Sequence, residues 1–127
     1  MPGEVHVTPA SSLETSSGQT EGMIRQNAIV DLSDKLCSSV MTAKPHSSSA
    51  VHHHGEQDTI IYAFRGHGTI VSSAGRTRQH LHPGDFALIP AFVEHQEVNE
   101  SDEDVVWIIT RSGRTPVVEN LGGWSES

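Results

Sequence analysis

The stretch GDFALIPAFVEHQEVN, residues 84–99, holds an apolar run, FALI, that stops at Pro90, and then a second short run that carries His95. Proline lacks an amide hydrogen and fixes its own φ, so it ends a strand cleanly. The stretch therefore reads as two successive strands with His95 on the second. Outward from it the texture continues: TIIYAF (59–64), GTIVSS (68–73) and DVVWIIT (104–110) are β-branched or aromatic runs of strand length. Helical spacing of apolar residues is nowhere sustained over a dozen positions. SAGR (73–76), HPGD (82–85) and NESDED (99–104) supply turn residues between the runs. Turn signals at roughly 8–12 residue spacing predict an all-β chain of antiparallel strands closed into a sandwich or barrel.

Upstream lies VHHHGEQD, residues 51–58. Alternate side chains of a strand share a face, with Cβ atoms about 7 Å apart. His52 and His54 can thus point into a barrel together while His53 points out, and an antiparallel neighbour can bring His95 to the same interior point. Three neutral imidazoles, or imidazoles with one carboxylate, leave positions open for water or substrate. Such a set suits one divalent transition metal: Fe(II), Mn, Ni, Cu or Zn. The competing reading of VHHHGEQD is a polar surface loop that happens to be rich in histidine.

The two stretches together resemble the motifs of the cupin superfamily, G-x5-H-x-H-x3-4-E-x6-G and G-x5-P-x-G-x2-H-x3-N. Gly84, Pro90, His95 and Asn99 match the second at the required spacing, with Phe92 in place of its middle glycine. His52, His54 and Gly66 match the first, with His46 in place of its opening glycine. The motifs span residues 46–99, and the strand pattern carries the resemblance on to residue 111. It implies a cupin-type β-barrel or jelly roll of antiparallel strands that binds a metal through His52, His54 and His95. The carboxylate position is ambiguous, because counting back from Gly66 reaches Thr59, whereas the shorter spacing from His54 reaches Asp58. Adjacent strand residues face opposite ways, so only one count holds without a bulge. Asp58, a hard charged donor, is the expected fourth ligand; the alternative is a three-histidine site with Gln57 or Glu56 nearby.

The resemblance also implies the activities of that superfamily, which include dioxygenases, decarboxylases, isomerases, polyketide cyclases and non-catalytic binders. A site made mostly of histidine, with open positions, favours an oxygenase acting on an enol, phenol or diketone-like compound. Redox-neutral isomerisation, cyclisation or decarboxylation is the enzymatic rival, and a small-ligand-binding barrel without turnover is the rival of another class. Glu97 shares strand parity with His95 and, with Gln57 and Tyr62, is a candidate catalytic group. A solvated or cross-strand role is the plainer reading of that glutamate. His67, His80 and His82 adjoin turns and read as solvated. Arg65, Arg76 and Arg78 read as facing solvent or a partner, and Tyr62, Phe64, Phe86, Phe92 and Trp107 as core residues first.

Composition sets the remaining bounds. The 127 residues fit one domain, and 8 Lys plus Arg against 16 Asp plus Glu give a net charge of −8. That charge, with no basic run, argues against nucleic acid and anionic membranes as partners. Residues 1–22, rich in Ser, Thr, Gly, Pro and Glu, read as a disordered tail, leaving 23–127 as the domain. Neither a leader-like apolar segment nor a membrane span is evident, and the expectation is a cytoplasmic protein. Cys37 is the single cysteine, read as a small buried hydrophobe. Barrels of this size expose strand edges and apolar faces that a second copy covers, so a homodimer working on a small molecule is expected.

Overall fold

In the computed structural model, which describes residues 3–16 and 21–125, the chain is almost entirely β. After a 3₁₀ turn at Ala10–Ser12 come β1 (Glu14–Thr15), β2 (Met23–Ile29), β3 (Leu36–Ala43), β4 (Ser47–Ser48), β5 (His52–His53) and β6 (Thr59–Arg65). They are followed by β7 (Gly68–Ser72), β8 (Thr77–Leu81), β9 (Phe86–Ile89), β10 (His95–Asn99), β11 (Val105–Ser112) and β12 (Glu119–Asn120). One sheet runs β1-β2-β3-β11-β6-β9 and the other β12-β5-β10-β7-β8, with β4 also on β10. Every pairing is antiparallel, giving the expected two-sheet jelly roll. No described helix is long and apolar enough to cross a membrane.

Strict alternation of burial on β3 and β11 fills the space between the sheets. Val105, Trp107 and Ile109 point inward from β11, meeting Met41, Ala43, Ile61, Ala63, Ile70 and Ile89. The same inward row ends in Arg111, opposite Thr59 across the β11–β6 ladder. The interior is therefore apolar around Trp107 and polar around Arg111, with His52, His54, His95 and Glu97 all buried.

Two motif residues serve the frame. Gly66 adopts φ +79°, and a Cβ there would meet the Asp104 carbonyl oxygen at 2.4 Å, so this turn excludes a side chain. Asn99, 1% exposed, shares its amide hydrogens among the carbonyls of Ala43 (2.9 Å), Lys44 (3.1 Å) and Glu103 (2.7 Å). Its oxygen accepts from the Ser101 amide at 3.0 Å and the Ser101 hydroxyl at 2.7 Å. One side chain thereby joins the ends of β3, β10 and β11.

One expectation needs correction here. Of the aromatic residues read as core, only Trp107 is buried; Phe64, Phe86 and Phe92 are exposed and Tyr62 is half-buried against Phe86. Strand parity is the reason. β6 buries Thr59, Ile61 and Ala63, so Ile60, Tyr62 and Phe64 lie on its outer face beside Leu88 and Phe86 of β9. The described part of residues 1–22 includes a short strand at the sheet edge. Glu14 and Thr15 pair with Asn27 and Gln26, and the Ser16 hydroxyl donates to Asn27 Oδ1 at 3.0 Å. An edge strand offers unused amides and carbonyls, and pairing with them requires no large apolar side chain. Residues 1–2 and 17–20 of that tail lie outside the described residues.

Asn99→Ala should leave the carbonyls of Ala43, Lys44 and Glu103 without their shared amide donor and lower unfolding free energy by about 1–3 kcal/mol. A urea titration with an unchanged slope and a lower midpoint would register that loss.

Candidate metal centre

His52 sits on β5 directly opposite His95 on β10, and His54 follows one residue beyond the strand. The three rings converge, with centroids 4.3 Å apart for His52 and His95 and 5.0 Å apart for each of the other pairs. Glu97, two residues after His95 and on the same face of β10, joins them. One donor atom from each of His52, His54, His95 and Glu97 lies within 4.8 Å of all the others. All four residues are buried, His95 completely.

The outer nitrogens determine what the inner ones can do. Nδ1 of His52 lies 2.7 Å from the Ala50 carbonyl, that of His54 2.9 Å from Val117, and that of His95 2.9 Å from Val93. A carbonyl oxygen only accepts, so each Nδ1 carries the proton and each neutral ring turns an Nε2 lone pair inward. Nε2 of His52 and of His95 are buried without a hydrogen-bond partner among the described residues. Although Glu97 Oε2 approaches His52 Nε2 to 3.0 Å, the pair lacks hydrogen-bond geometry. The partnerless lone pairs of His52 and His95 and the Glu97 carboxylate, gathered in one buried cluster, repel unless a cation stands among them, while Nε2 of His54 faces the Arg111 guanidinium at 3.4 Å. The donor set thus fits a divalent transition metal, which His52, His54, His95 and Glu97 would hold.

Protonation follows the same geometry. Burial, reinforced by the Arg111 charge, pushes His54 down to about 3, and burial lowers His95 despite Glu97. For His52 burial acts downward too, yet the adjacent Glu97 charge and contact outweigh it and the net shift is upward. Burial opposes ionisation of Glu97, but His52 and the other two rings hold its carboxyl well below the usual range. Ser49 secures it, its hydroxyl donating to Oε2 at 3.1 Å and accepting the Glu97 amide at 2.9 Å.

The structure does not bring Asp58 to this centre. Asp58 is exposed and its Oδ1 accepts the Ala91 amide at 3.0 Å, tying β6 to the loop after β9. Thr59 takes the inward position, but as a hydroxyl that accepts from Arg111 Nε at 3.3 Å. Gln57 faces elsewhere, donating to the Thr115 carbonyl at 2.7 Å and accepting the Val117 amide at 2.9 Å. Glu56 is exposed and Tyr62 lies on the outer face. Of the candidate catalytic groups, Glu97 alone reaches the cluster.

Two residues escaped the sequence reading. Arg111, 2% exposed, reaches His54 Nε2 with Nη2 at 3.4 Å, and burial lowers its pKa to about 10, which keeps it charged at neutral pH. Its signal was parity with Trp107 and Ile109. Arg25 of β2 lines a cavity of about 380 Å³ that opens beside His52 and Glu97. Its signal was weaker, lying in a strand of mixed polarity.

Exchange of Glu97 for Gln should weaken zinc binding by about 10- to 100-fold, whereas Asp58→Asn should leave it within about twofold. Competition against a chromogenic chelator measures both, and the opposite ranking would restore Asp58 as the ligand.

A search of curated proteins finds no match. Among solved structures the chain is similar to KdgF from Halomonas sp., with 19% identity and TM-score 0.73 over 87% of this chain and 96% of that one. It is also similar to the polyketide cyclase RemF from Streptomyces resistomycificus, with 18% identity and TM-score 0.75 over 99% and 89%. A third is a sugar phosphate isomerase of the cupin superfamily from Silicibacter pomeroyi, with 21% identity and TM-score 0.69 over 91% and 81%. Likeness at these identities speaks for the shared fold. The model of the cupin domain matches residues 39–111, which hold all four converging side chains and more than half the chain, and the protein belongs to that family.

Proposed function

We propose that the protein is a metal-dependent enzyme acting on a small oxygenated organic substrate. The observation that carries this reading is the buried convergence of three Nε2 lone pairs and the Glu97 carboxylate beside a cavity. A bound divalent ion would supply Lewis acidity toward a carbonyl or enolate oxygen. The chain's own residues supply the rest. Carbonyls of Ala50, Val93 and Val117 fix the imidazoles, Ser49 fixes the carboxylate, and Met23 and Met41 give the cavity apolar surface.

Arg111 favours redox-neutral chemistry, such as isomerisation, cyclisation or decarboxylation through an enolate. Its guanidinium lies 3.4 Å from His54 Nε2, and fixed positive charge beside a ligand raises electrophilicity while disfavouring loss of an electron from the centre. The relatives named as a cyclase and an isomerase are in keeping with this. An oxygenase acting on an enol, phenol or diketone is the second reading, supported by a donor set of three histidines and a carboxylate that also suits Fe(II). We further read the protein as a cytoplasmic homodimer. The outer strip of Ile60, Phe64, Phe86 and Leu88 supports the second copy, and a monomeric mass by light scattering would discard it.

Untagged protein should carry near-stoichiometric metal by elemental analysis. Metal-loaded protein should then exchange the acidic hydrogen of a 1,3-diketone for solvent deuterium, read by NMR, with no oxygen consumed. Substrate-coupled oxygen uptake in an electrode would instead promote the oxygenase reading, and absence of metal after reconstitution would remove both.

A further inference from the structure

We infer that Gln57 is a positioning residue for the metal centre: by gripping the chain at Thr115 and Val117 it fixes the ring of His54 and the cavity wall beside it. The inference deepens the metal-enzyme reading and rests on it for what the oriented ring would hold.

The three rings are not oriented by equal means. His52 and His95 use carbonyls two residues away, those of Ala50 and Val93. His54 instead uses Val117, 63 positions along the chain. Val117 lies outside any strand, in the stretch between β11 and β12. Upstream of it the Arg114 carbonyl accepts the Asp31 amide, and downstream β12 pairs with β5. A carbonyl on such a stretch orients a ring only as firmly as the stretch itself is held.

Gln57 supplies that hold. Its Nε2 donates to the Thr115 carbonyl at 2.7 Å and its Oε1 accepts the Val117 amide at 2.9 Å, so one side chain grips the backbone on both sides of Pro116. The backbone amide of Gln57 donates to the His54 carbonyl at 3.1 Å. Three hydrogen bonds therefore close a circuit: His54 ring to Val117, Val117 to the Gln57 side chain, and the Gln57 backbone to His54. A primary amide both donates and accepts within one flat group, which neither a carboxylate nor an alkyl chain does. Space for it is built in. Gln57 is 8% exposed, and a Cβ at Gly113, where φ is +97°, would lie 2.7 Å from its Nε2. Thr115, Pro116 and Val118 line the cavity, so the clamp that orients His54 also holds that wall.

Nitrogen-15 NMR of the histidine rings in metal-free protein reads the tautomer of each. In Gln57→Leu the two nitrogen shifts of His54 should move toward the averaged values of mixed tautomers, while His52 and His95 keep their wild-type shifts. Zinc, followed by chelator competition, should bind about tenfold more weakly. Gln57→Glu, matched in size, should act in the same direction and serves if the leucine variant does not fold. Ser125→Ala, which loosens the chain at Glu94 and leaves the circuit intact, should keep both readouts at wild-type values. Unchanged His54 shifts in the Gln57 variants, or equal changes at all three rings, would overturn the inference. Zinc affinity within about twofold of wild type would overturn it too. If the wild-type protein takes up no zinc, the metal reading falls separately, and the nitrogen shifts alone decide whether Gln57 positions His54.

Discussion

Three backbone carbonyls, those of Ala50, Val93 and Val117, set the chemistry of this molecule. By accepting the Nδ1 protons of His52, His95 and His54 they fix one tautomer for each ring and aim three lone pairs at one point. Such an arrangement is unstable on its own terms, since lone pairs at close range repel and burial removes the water that would separate them. The surrounding jelly roll makes it tenable. Continuous ladders through β3, β11 and β6 leave the strands little freedom, and the apolar half of the interior anchors them.

The division of the interior follows from one feature of β11. Val105, Trp107 and Ile109 are inward residues that any two-sheet protein would use, but the next inward position is Arg111. A charged residue there would be a defect in a purely structural barrel. Here it caps the apolar region and faces the histidines, so a single strand carries both the packing and the electrostatic half of the fold. At the apolar end the fit is close, for a Cβ added at Gly68 would come within 2.6 Å of Trp107 Cζ2.

Much of this was readable from the chain. Strand texture and turn spacing gave the class, and alternation placed His52, His54 and His95 together because side-chain direction in a strand depends only on parity. The same rule placed Glu97 with His95, yet motif spacing drew the carboxylate assignment to Asp58. Counting along a chain does not reveal which neighbour closes the cluster; that depends on cross-strand register, and β10 lies beside β5 in a way that brings position 97, not 58, to the three histidines. Aromatic side chains were misplaced for a related reason. Hydrophobicity predicts burial only when the opposite face is known to be wet, and β6 and β9 are apolar on both faces. The place of Arg25 was not legible because the cavity it lines is assembled by distant segments, which no local pattern encodes.

The hydrogen bond from His54 to Val117 has an implication for where this domain ends. Residues 39–111 carry every side chain of the cluster, yet the carbonyl that orients His54 and much of the cavity wall lie beyond residue 111, while Arg25 and Asn27 lie before residue 39. Gln57 binds that C-terminal strap in turn, at Thr115 and Val117. A fragment trimmed to residues 39–111 would keep the four side chains of the cluster and lose the carbonyl that fixes the tautomer of one of them.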